Sequence, residues 1–515
     1  MSHGPVAPAL GYTAGLDRIE EAVISAHCMQ GLARDGRLAL YDDDRFTASA
    51  LTITAEAVEQ TLIPALLRAC EAFSRERAEA ATARAREQYR AYGLGDPREV
   101  GPAQVVTEVL FDRQYQRGTR QTCSRELLCR TVAAHVDADR PIRMVIPALP
   151  FKFSSPLRTR GRLPDLAELN FLLELYEIAA TVELVYRAAR PGLTGRLAGF
   201  TVVSDGSRFN RIVHEPDSAV DRYRAGLQRW VRRLGLDQYI TLVDYRSLLR
   251  EALPPAAREV KAAIAADARI EYAKVLWPVL DPYEPATMLR TAAAVEPDPE
   301  YANPEGRFVS LLKSLVFTVH YRTLDRVPRL SAPAYRALYR ELTAHLFEPY
   351  AVLSPAELAE AGAALATAAR FAPTDATREY LRQAMLREAW ATAIDYLAEI
   401  KSDRELAEDP ILTCLPGQVR WTIHAKPGQL AIATATANGL RVQAWAGVAV
   451  FKLTKRKEIK LCTLPVLAVE GAGAVPVRVA GAEQPLFYLH PDLPHADAAA
   501  FLGALGGSLA RRRVS

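Results

Sequence analysis

The amino-acid sequence predicts an α/β fold, with a mostly parallel sheet core flanked by many helices and a small β-rich C-terminal subdomain. Two patterns support this prediction. Short apolar runs of strand length alternate with longer segments whose apolar residues recur at helical spacing, which is typical of βαβ units and a parallel sheet. Residues 410–464 then change to short β-rich runs such as ILTCL, VRWTIH and IKLCTL.

The alternating pattern lies in the central part of the chain. In chain order it predicts a strand at 143–149, a helix at 164–187, a strand at 197–203, a helix at 217–234 and a strand at 239–243. Pro164 occupies a plausible first-turn position of the first of these helices. Asp165 and Glu168 follow closely, where negative charge suits the helix dipole. Segments 105–135 and 254–401 are predicted to be mainly helical.

Composition and helix breakers divide the chain into four predicted parts. Residues 1–95 form a helical N-terminal extension, with helices expected at 16–29 and 55–90. Residues 96–405 form the α/β core, which carries the catalytic candidates and a helical insertion. Residues 406–465 form the β-rich segment that completes the site, and 466–515 form a loosely structured tail rich in Gly, Ala and Pro.

The composition excludes several classes of protein. The chain has 515 residues, with 64 basic and 60 acidic side chains and a formal net charge of +4. This near balance lacks the basic face of a nucleic-acid-binding protein, so no nucleic acid is expected as a partner. No apolar run approaches the ~20 residues that span a bilayer, and the N-terminus does not resemble a signal peptide. Six cysteines without a CxxC pair indicate free thiols, so we expect a cytoplasmic protein without a membrane partner.

A basic loop between the first predicted strand and the following helix is the first candidate site. Lys152, Arg158 and Arg162 lie in this loop, and Asp165 and Glu168 open the helix. Backbone N–H groups at a helix N-terminus bind anions, and Lys or Arg side chains add positive charge. A partly buried lysine beside other cations can have a lowered pKa and act as a base or form an imine. The alternative is a solvated basic loop before a well-capped helix.

Two further polar segments coincide with the ends or faces of strands. The second predicted strand ends in SDG, residues Ser204, Asp205 and Gly206. Catalytic groups of parallel sheets collect at such strand ends. The alternative is a common turn, in which glycine permits a positive φ. In VRWTIH, alternation places Arg420 and His424 on one face, which can bind a carboxylate or phosphate, with His424 as acid or base. The alternative is a half-exposed strand. The sequence contains no P-loop, GxGxxG or HExxH motif.

Taken together, these segments resemble the pyoverdine/dityrosine biosynthesis family, which includes the isocyanide (isonitrile) synthases. The motifs that carry the resemblance are PALPFK at 147–152, LPDLAE at 163–168, SDGSRF at 204–209, EPDSAVDRY at 215–223 and RWTIH at 420–424. Each motif is weak alone, but their ordered combination is fairly specific. The resemblance covers roughly residues 105 to 464.

The resemblance implies a reaction without a metal ion or cofactor. The α-amino group of an amino acid, typically tyrosine or tryptophan, condenses with the ketone of ribulose 5-phosphate, and fragmentation of the sugar leaves one carbon on nitrogen as an isonitrile. The residues implied as catalytic are Lys152, Asp165, Glu168, Asp205 and His424. The residues implied in substrate binding are Arg143, Arg158, Arg162, Ser204, Gly206 and Arg420. Further partners would be a second copy of the chain or a downstream tailoring enzyme.

The sequence also departs from the family pattern near its C-terminal end. The stretch QAWAG at 443–447 has Ala446 where the family often has histidine, and RWTIH is followed by Ala425 where the family has proline. Two alternatives therefore accompany the isonitrile synthase hypothesis. One is an N-formylating relative, as in the dityrosine branch of the family. The other is a non-catalytic family member that acts as a binding or scaffold subunit.

Overall fold

The computed structural model describes most of the chain between residues 50 and 505. The described residues are 50–115, 123–152, 159–213, 215–279, 354–367, 374–422, 428–432, 443–454, 457–482, 484–493, 500–503 and the single positions 315, 338, 341, 342 and 505. The helix predicted at 16–29 lies outside them. Among the helices of these residues, none combines the length and the apolar composition that crossing a membrane requires.

The strands of the described residues form two sheets. They are β1 (Leu51–Ile53), β2 (Ile142–Pro147), β3 (Ala198–Ser204), β4 (Ile240–Asp244), β5 (Val419–Thr422), β6 (Leu430–Ala431), β7 (Val448–Leu453), β8 (Ile459–Leu464), β9 (Val475–Val479) and β10 (Phe487–Leu489). The first sheet has the order β4-β3-β2-β5-β6, and every neighbouring pair is parallel. Its first three strands begin within one residue of the three predicted starts, so the predicted parallel α/β core is confirmed.

The second sheet is mixed and has the order β1-β9-β10-β7-β8. Here β1 and β9 are parallel, as are β10 and β7, whereas β9–β10 and β7–β8 are antiparallel. Its strands β7 and β8 lie in the β-rich segment that the sequence predicts at 406–465, whereas β5 and β6 of that segment join the first sheet. The expectation of a loosely structured tail at 466–515 is wrong, because β9 and β10 lie in the interior of the second sheet. Composition averaged over the tail conceals the short valine-rich run VPVRV, whose Val477 is fully buried.

Helices cover the sheets and connect their strands. The α-helices of the described residues are α1 (Ala55–Ala57), α2 (Ile63–Ala91), α3 (Pro102–Leu110), α4 (Arg125–Val136), α5 (Leu166–Ala189), α6 (Gly206–Phe209), α7 (Asp217–Arg233), α8 (Tyr245–Ala252), α9 (Pro255–Val279), α10 (Pro355–Thr367), α11 (Asp375–Arg404), α12 (Pro410–Cys414) and α13 (Val466–Gly471). Pro64 lies in the first turn of α2, where its missing N–H needs no partner and its fixed φ suits the helix.

Helix α5 holds the two sheets together. It contacts β3 of the first sheet and β7 and β8 of the second, and it also packs along α2. Most of its side chains are therefore buried, including the acidic residues Glu168 and Glu177. A helix that is buried on most of its faces is expected in such a central position. Its N-terminus lies at the carboxyl edge of the first sheet, where the candidate residues collect.

The structure corrects three local expectations. ILTCL forms helix α12 rather than a strand, because the Asp409 carboxylate accepts hydrogen bonds from the N–H groups of Ile411 and Leu412, and Pro410 opens the helix. Segment 105–135 contains two helices, α3 and α4, instead of one. Pro164 precedes the first helical residue of α5 by two positions, and Asp165 is the N-cap.

Candidate active site

The candidate residues meet in the loops that follow β2 and β3. The Oγ atom of Ser204, the last residue of β3, donates a hydrogen bond of 2.9 Å to the carbonyl oxygen of Leu149. Leu149 is fully buried and has a φ of 57°, a left-handed conformation that residues with a branched side chain rarely adopt. The hydroxyl of Ser204 therefore holds a strained turn in place at the end of β2.

Gly206 allows the same two loops to touch. A Cβ atom at this position would lie 1.9 Å from the carbonyl oxygen of Pro150, well inside van der Waals contact. The sequence suggested a positive φ as the reason for glycine in SDG, but the φ of Gly206 is not positive. Glycine is needed here for the close approach of the two backbones.

Lys152 lies at the centre of a buried cluster of charges. Its Nζ atom is 2.9 Å from Asp165 Oδ2 and 2.9 Å from Glu168 Oε2, and it donates to the carbonyl oxygen of Ala444 at 3.2 Å. The exposed fractions of Lys152, Asp165 and Glu168 are 2%, 4% and 0%. Three acceptors take up the three N–H donors of an ammonium group, whereas a neutral amine has only two. The arrangement therefore holds Lys152 in its charged form.

The first turn of α5 orients both carboxylates. Asp165 is the N-cap, and its Oδ1 atom accepts a hydrogen bond of 2.7 Å from the N–H of Ala167. Glu168 completes a capping box, because its Oε2 atom accepts a hydrogen bond of 2.9 Å from the N–H of Asp165. The hydroxyl of Tyr223, in α7, donates to the other oxygen, Oε1, at 3.1 Å. Cap geometry thus fixes both acidic side chains against Lys152.

Burial and mutual charge set the protonation of this cluster. Burial alone would lower the pKa of Lys152, but the carboxylates of Asp165 and Glu168 outweigh it and raise the pKa. Burial raises the pKa of Asp165 against the opposing charge of Lys152. Burial also raises the pKa of Glu168 to about 8, with the charge of Asp165 adding to the effect and Lys152 opposing it. The expectation of a lysine with a lowered pKa is therefore wrong, because its neighbours are acids rather than cations.

Asp205 lies beside this cluster, at the end of β3. Its Oδ1 atom is buried and has no hydrogen-bond partner among the described residues. Burial raises its pKa to about 6, and the charges of Arg208 and Arg420 oppose the increase. Burial raises the pKa of Tyr223 well above its ordinary value, and the negative charges of Glu168, Asp165 and Asp205 add to this effect. A buried carboxylate oxygen without a partner is suited to receive a proton or an ammonium group.

The remaining predicted residues are more widely spread. Arg143 is the second residue of β2, exposed and beside Gly199, which places it roughly 13 Å of strand from Pro147 at about 3.3 Å per residue. The structure therefore does not bring Arg143 to the cluster. Arg162 is half exposed and lies 3.5 Å from Glu215. Arg158 and His424 lie outside the described residues.

The strand β5 brings Arg420 toward Asp205. The predicted alternation is present, since Val419 and Trp421 are buried and Arg420 is only half-buried. The Nε atom of Arg420 is 3.1 Å from Asp409 Oδ2, and its Nη1 atom donates to the carbonyl oxygen of Trp421 at 2.6 Å. Arg420 thus has an acidic partner of its own, and it acts on Asp205 through its charge.

The C-terminal tail braces the loop that leads into α5. The Gln484 side chain accepts from the N–H of Leu163 at 3.2 Å and donates to the carbonyl oxygen of the same residue at 2.9 Å. The N–H of Leu166 donates to the carbonyl oxygen of Leu486 at 3.0 Å. A Cβ atom at Gly161 would lie 1.9 Å from Gln484 Oε1, so this brace also depends on a glycine.

Sequence reasoning missed three groups that the structure places at the site. Tyr223 ends the EPDSAVDRY motif, so the motif contains it but does not indicate its hydrogen bond to Glu168. Arg208 lies two residues after SDG, and its guanidinium lies 2.7 Å from Asp403 and 3.1 Å from Glu399, both in α11. The third group is the carbonyl of Ala444, which no side-chain pattern can reveal. It belongs to QAWAG, the stretch in which the sequence departs from the family.

No group of three or more His, Cys, Asp or Glu side chains suitable for a metal ion occurs within the described residues. The side chains of Asp165 and Glu168 have Lys152 as their common neighbour. An ammonium group occupies the position between two carboxylates where a cation would otherwise bind.

Comparison with known proteins gives matches to isonitrile synthases and to a family model. Residues 132–278 match the family model described as pyoverdine/dityrosine biosynthesis protein. The chain is 30% identical over 142 residues to an L-tyrosine isonitrile synthase of Pseudomonas aeruginosa, which is 26% of this chain and 41% of the relative. It is 28% identical over 133 residues to the L-tryptophan isonitrile synthase AmbI1 of Fischerella ambigua, which is 24% of this chain and 39% of the relative.

These matches span about two fifths of the length of the curated relatives. Among solved structures, the PvcA protein of Pseudomonas aeruginosa is 19% identical and covers 76% of this chain and 100% of its own. Its TM-score of 0.42 is too low for the likeness to bear on the site. The segment matched by the family model contains Lys152, Asp165, Glu168, Asp205 and Tyr223.

Proposed function

Since the chain is related to the pyoverdine/dityrosine biosynthesis family through residues 132–278, we propose that it is an isonitrile synthase of natural-product biosynthesis. It converts the α-amino group of an amino acid into an isonitrile and takes the added carbon from ribulose 5-phosphate. The observation that supports this most is the buried cluster of Lys152, Asp165 and Glu168, which lies within the matched residues at the carboxyl edge of the parallel sheet.

The first step that we propose is condensation of the amine with the ketone to an imine. The substrate ammonium loses three protons, of which two leave with the ketone oxygen as water and one remains on a basic group. The site must therefore accept a proton and then donate one. Asp205, with a pKa of about 6, is ionised at neutral pH and accepts the ammonium proton. Glu168, with a pKa of about 8, is mostly protonated and donates its proton to the departing hydroxyl group. The Glu168 carboxylate then takes the remaining proton from the iminium nitrogen, so that Glu168 ends the step protonated.

Lys152 has a different role from the one that an imine-forming lysine would have. Its ammonium group is bound by three acceptors and stays charged, so it stabilises negative charge that develops on the ketone oxygen or on a carboxylate after proton transfer. Ser204 and Gly206 keep the β2 and β3 loops in contact, so that Asp205 faces the same space. Arg162, a half-exposed cation of the basic loop that lies 3.5 Å from Glu215, is the residue that we assign to the sugar phosphate.

The test is a reaction with labelled sugar. The purified protein is incubated with ribulose 5-phosphate carrying ¹³C at its ketone carbon and with a panel of amino acids that includes tyrosine and tryptophan, and products are identified by mass spectrometry. A product with one added ¹³C and the mass of an isonitrile supports the proposal. A product heavier by one water supports the N-formylating alternative instead. No product and no binding of the phosphosugar would overturn both enzymatic functions.

A pair of variants connects activity to the cluster. Lys152→Met removes the cation between Asp165 and Glu168 and is expected to abolish product formation. Arg84→Met is the matched control, because Arg84 also lies between two carboxylates, 3.8 Å from Glu108 and 2.7 Å from Asp112, but in a different part of the fold. Full activity in Lys152→Met would show that the charged cluster is not required for the reaction.

A further inference from the structure

The two oxygens of Glu168 have different surroundings. Oε2 accepts hydrogen bonds from two nitrogen donors, Lys152 Nζ and the N–H of Asp165, each at 2.9 Å. Oε1 accepts from the hydroxyl of Tyr223 at 3.1 Å. Glu168 and Tyr223 are both fully buried. The carboxyl group is therefore held at one oxygen by the cap of α5 and at the other by a side chain of α7.

This asymmetry determines where a proton on Glu168 can reside. An oxygen that already accepts from two N–H donors has both lone pairs in use, so the proton belongs on Oε1, facing Tyr223. A tyrosine hydroxyl can donate to the ionised carboxylate and can accept from the protonated acid. Burial raises the pKa of Tyr223 well above its ordinary value, so the hydroxyl keeps its own proton throughout.

We propose that Tyr223 is a positioning residue that orients Glu168 and controls the release of its proton from Oε1. The catalytic meaning of this inference rests on the proposed function, but the hydrogen bond and its effect on Glu168 do not. When Glu168 is ionised, the hydroxyl of Tyr223 donates to it and favours the charged form. When Glu168 is protonated, the same hydroxyl accepts from it and no donor favours ionisation at Oε1.

The packing of α7 supports this role. Gly226, one turn after Tyr223, lies so close to the start of α5 that a Cβ atom there would be 2.9 Å from Pro164 Cδ. The two helices therefore approach each other at the loop that supplies Asp165 and Glu168. This close contact brings the hydroxyl of Tyr223 within hydrogen-bonding distance of Oε1.

The decisive variant is Tyr223→Phe, which removes the hydroxyl and keeps the ring. Loss of a donor to an ionised carboxylate is expected to raise the pKa of Glu168 by about one unit or more. Tyr186→Phe is the matched control, because Tyr186 is also fully buried and its hydroxyl donates to the carbonyl oxygens of His135 and Arg140, away from the cluster. The control is expected to leave the titration of Glu168 unchanged.

Titration of Glu168 is measured by infrared difference spectroscopy on protein with ¹³C-labelled glutamate side chains. The carboxylic acid band that Glu168→Gln abolishes identifies the residue. The pH dependence of product formation is measured in parallel, and its Glu168-dependent limb is expected to move to higher pH in Tyr223→Phe by the same amount. In a Glu168→Gln background, Tyr223→Phe is expected to shift neither readout.

An unchanged infrared titration in folded Tyr223→Phe would overturn the inference. An equal shift in Tyr186→Phe would overturn it too, because the effect would then be a general consequence of losing a buried hydroxyl. If the wild-type protein forms no isonitrile but Tyr223→Phe still shifts the Glu168 band, the proposed function fails and the positioning role remains. If the wild-type protein forms the isonitrile but the Glu168 band does not shift in Tyr223→Phe, the positioning role fails and the proposed function remains.

Discussion

Replacement of Lys152 by methionine tests the energetics of the cluster independently of activity. The variant keeps an unbranched side chain but leaves Asp165 and Glu168, which are 4% and 0% exposed, without their common cation. Removing one partner of a buried ion pair costs about 3–5 kcal/mol, because the charge left behind is uncompensated. The two carboxyl groups can reduce this cost by binding protons, so the loss of stability must depend on pH.

The direction of that dependence follows from the pKa of Glu168. Its pKa is about 8 in the folded protein and about 4.3 when unfolded, so the folded state binds more protons between these values. The stability that this group contributes is present below the lower pKa and is lost as pH rises through the upper one. Without Lys152 the pKa of Glu168 in the folded protein rises further. The pH range in which the folded state binds more protons than the unfolded state then extends to higher pH. We therefore expect Lys152→Met to lose about 3–5 kcal/mol above about pH 8, and less toward about pH 5.

Urea unfolding followed by circular dichroism at the two pH values measures this difference. Arg84→Met serves again as the control, and because Arg84 is 36% exposed its loss is expected to cost no more than about 1 kcal/mol. The double variant Lys152→Met/Glu168→Gln is expected to regain part of the stability, since it removes one of the two uncompensated acids. An equal loss at both pH values, or a loss as small as that of Arg84→Met, would refute the reasoning.

Three further outcomes are expected from the loops around the cluster. Gly206→Ala places a Cβ atom against the carbonyl of Pro150 and should cost about 1–3 kcal/mol in urea unfolding, whereas Gly192→Ala, which meets nothing within 4 Å, should cost little. Ser204→Ala removes one buried hydrogen bond and should lower stability by about 1 kcal/mol, as measured by thermal unfolding. For Asp205, kcat/KM should decline as pH falls through about 6, and Asp205→Asn should lose this limb; a limb that persists in Asp205→Asn would assign it to another group.

Much of the parallel core could be predicted from the sequence because its signals are local. Three apolar runs of strand length gave β2, β3 and β4, and Asp165 with Glu168 three residues later is a capping pattern that can be recognised without a structure. The position of Lys152 in the loop between them also follows from the order of elements. Local patterns therefore place the candidate residues near one edge of one sheet.

The parts that could not be predicted depend on contacts between distant segments. The carbonyl of Ala444, 292 residues after Lys152, supplies the third acceptor that keeps this lysine charged. The basic loop suggested a lowered lysine pKa, but Nζ of Lys152 lies between two acids, Asp165 and Glu168. β1 and β9 pair across most of the chain, and no local pattern in LTI or VPVRV identifies the partner.

The brace between Gln484 and Leu163 has a consequence for synthesis of the protein. A ribosome releases Leu163 well before Gln484, which follows 321 residues later. The loop that enters α5 therefore stays unsupported until nearly the whole chain has emerged, and the site is completed among the last events of folding. A chain that ends before Gln484 loses the anchor of the segment that carries Asp165, so truncation at the C-terminus is expected to disturb a loop 321 residues earlier in the sequence.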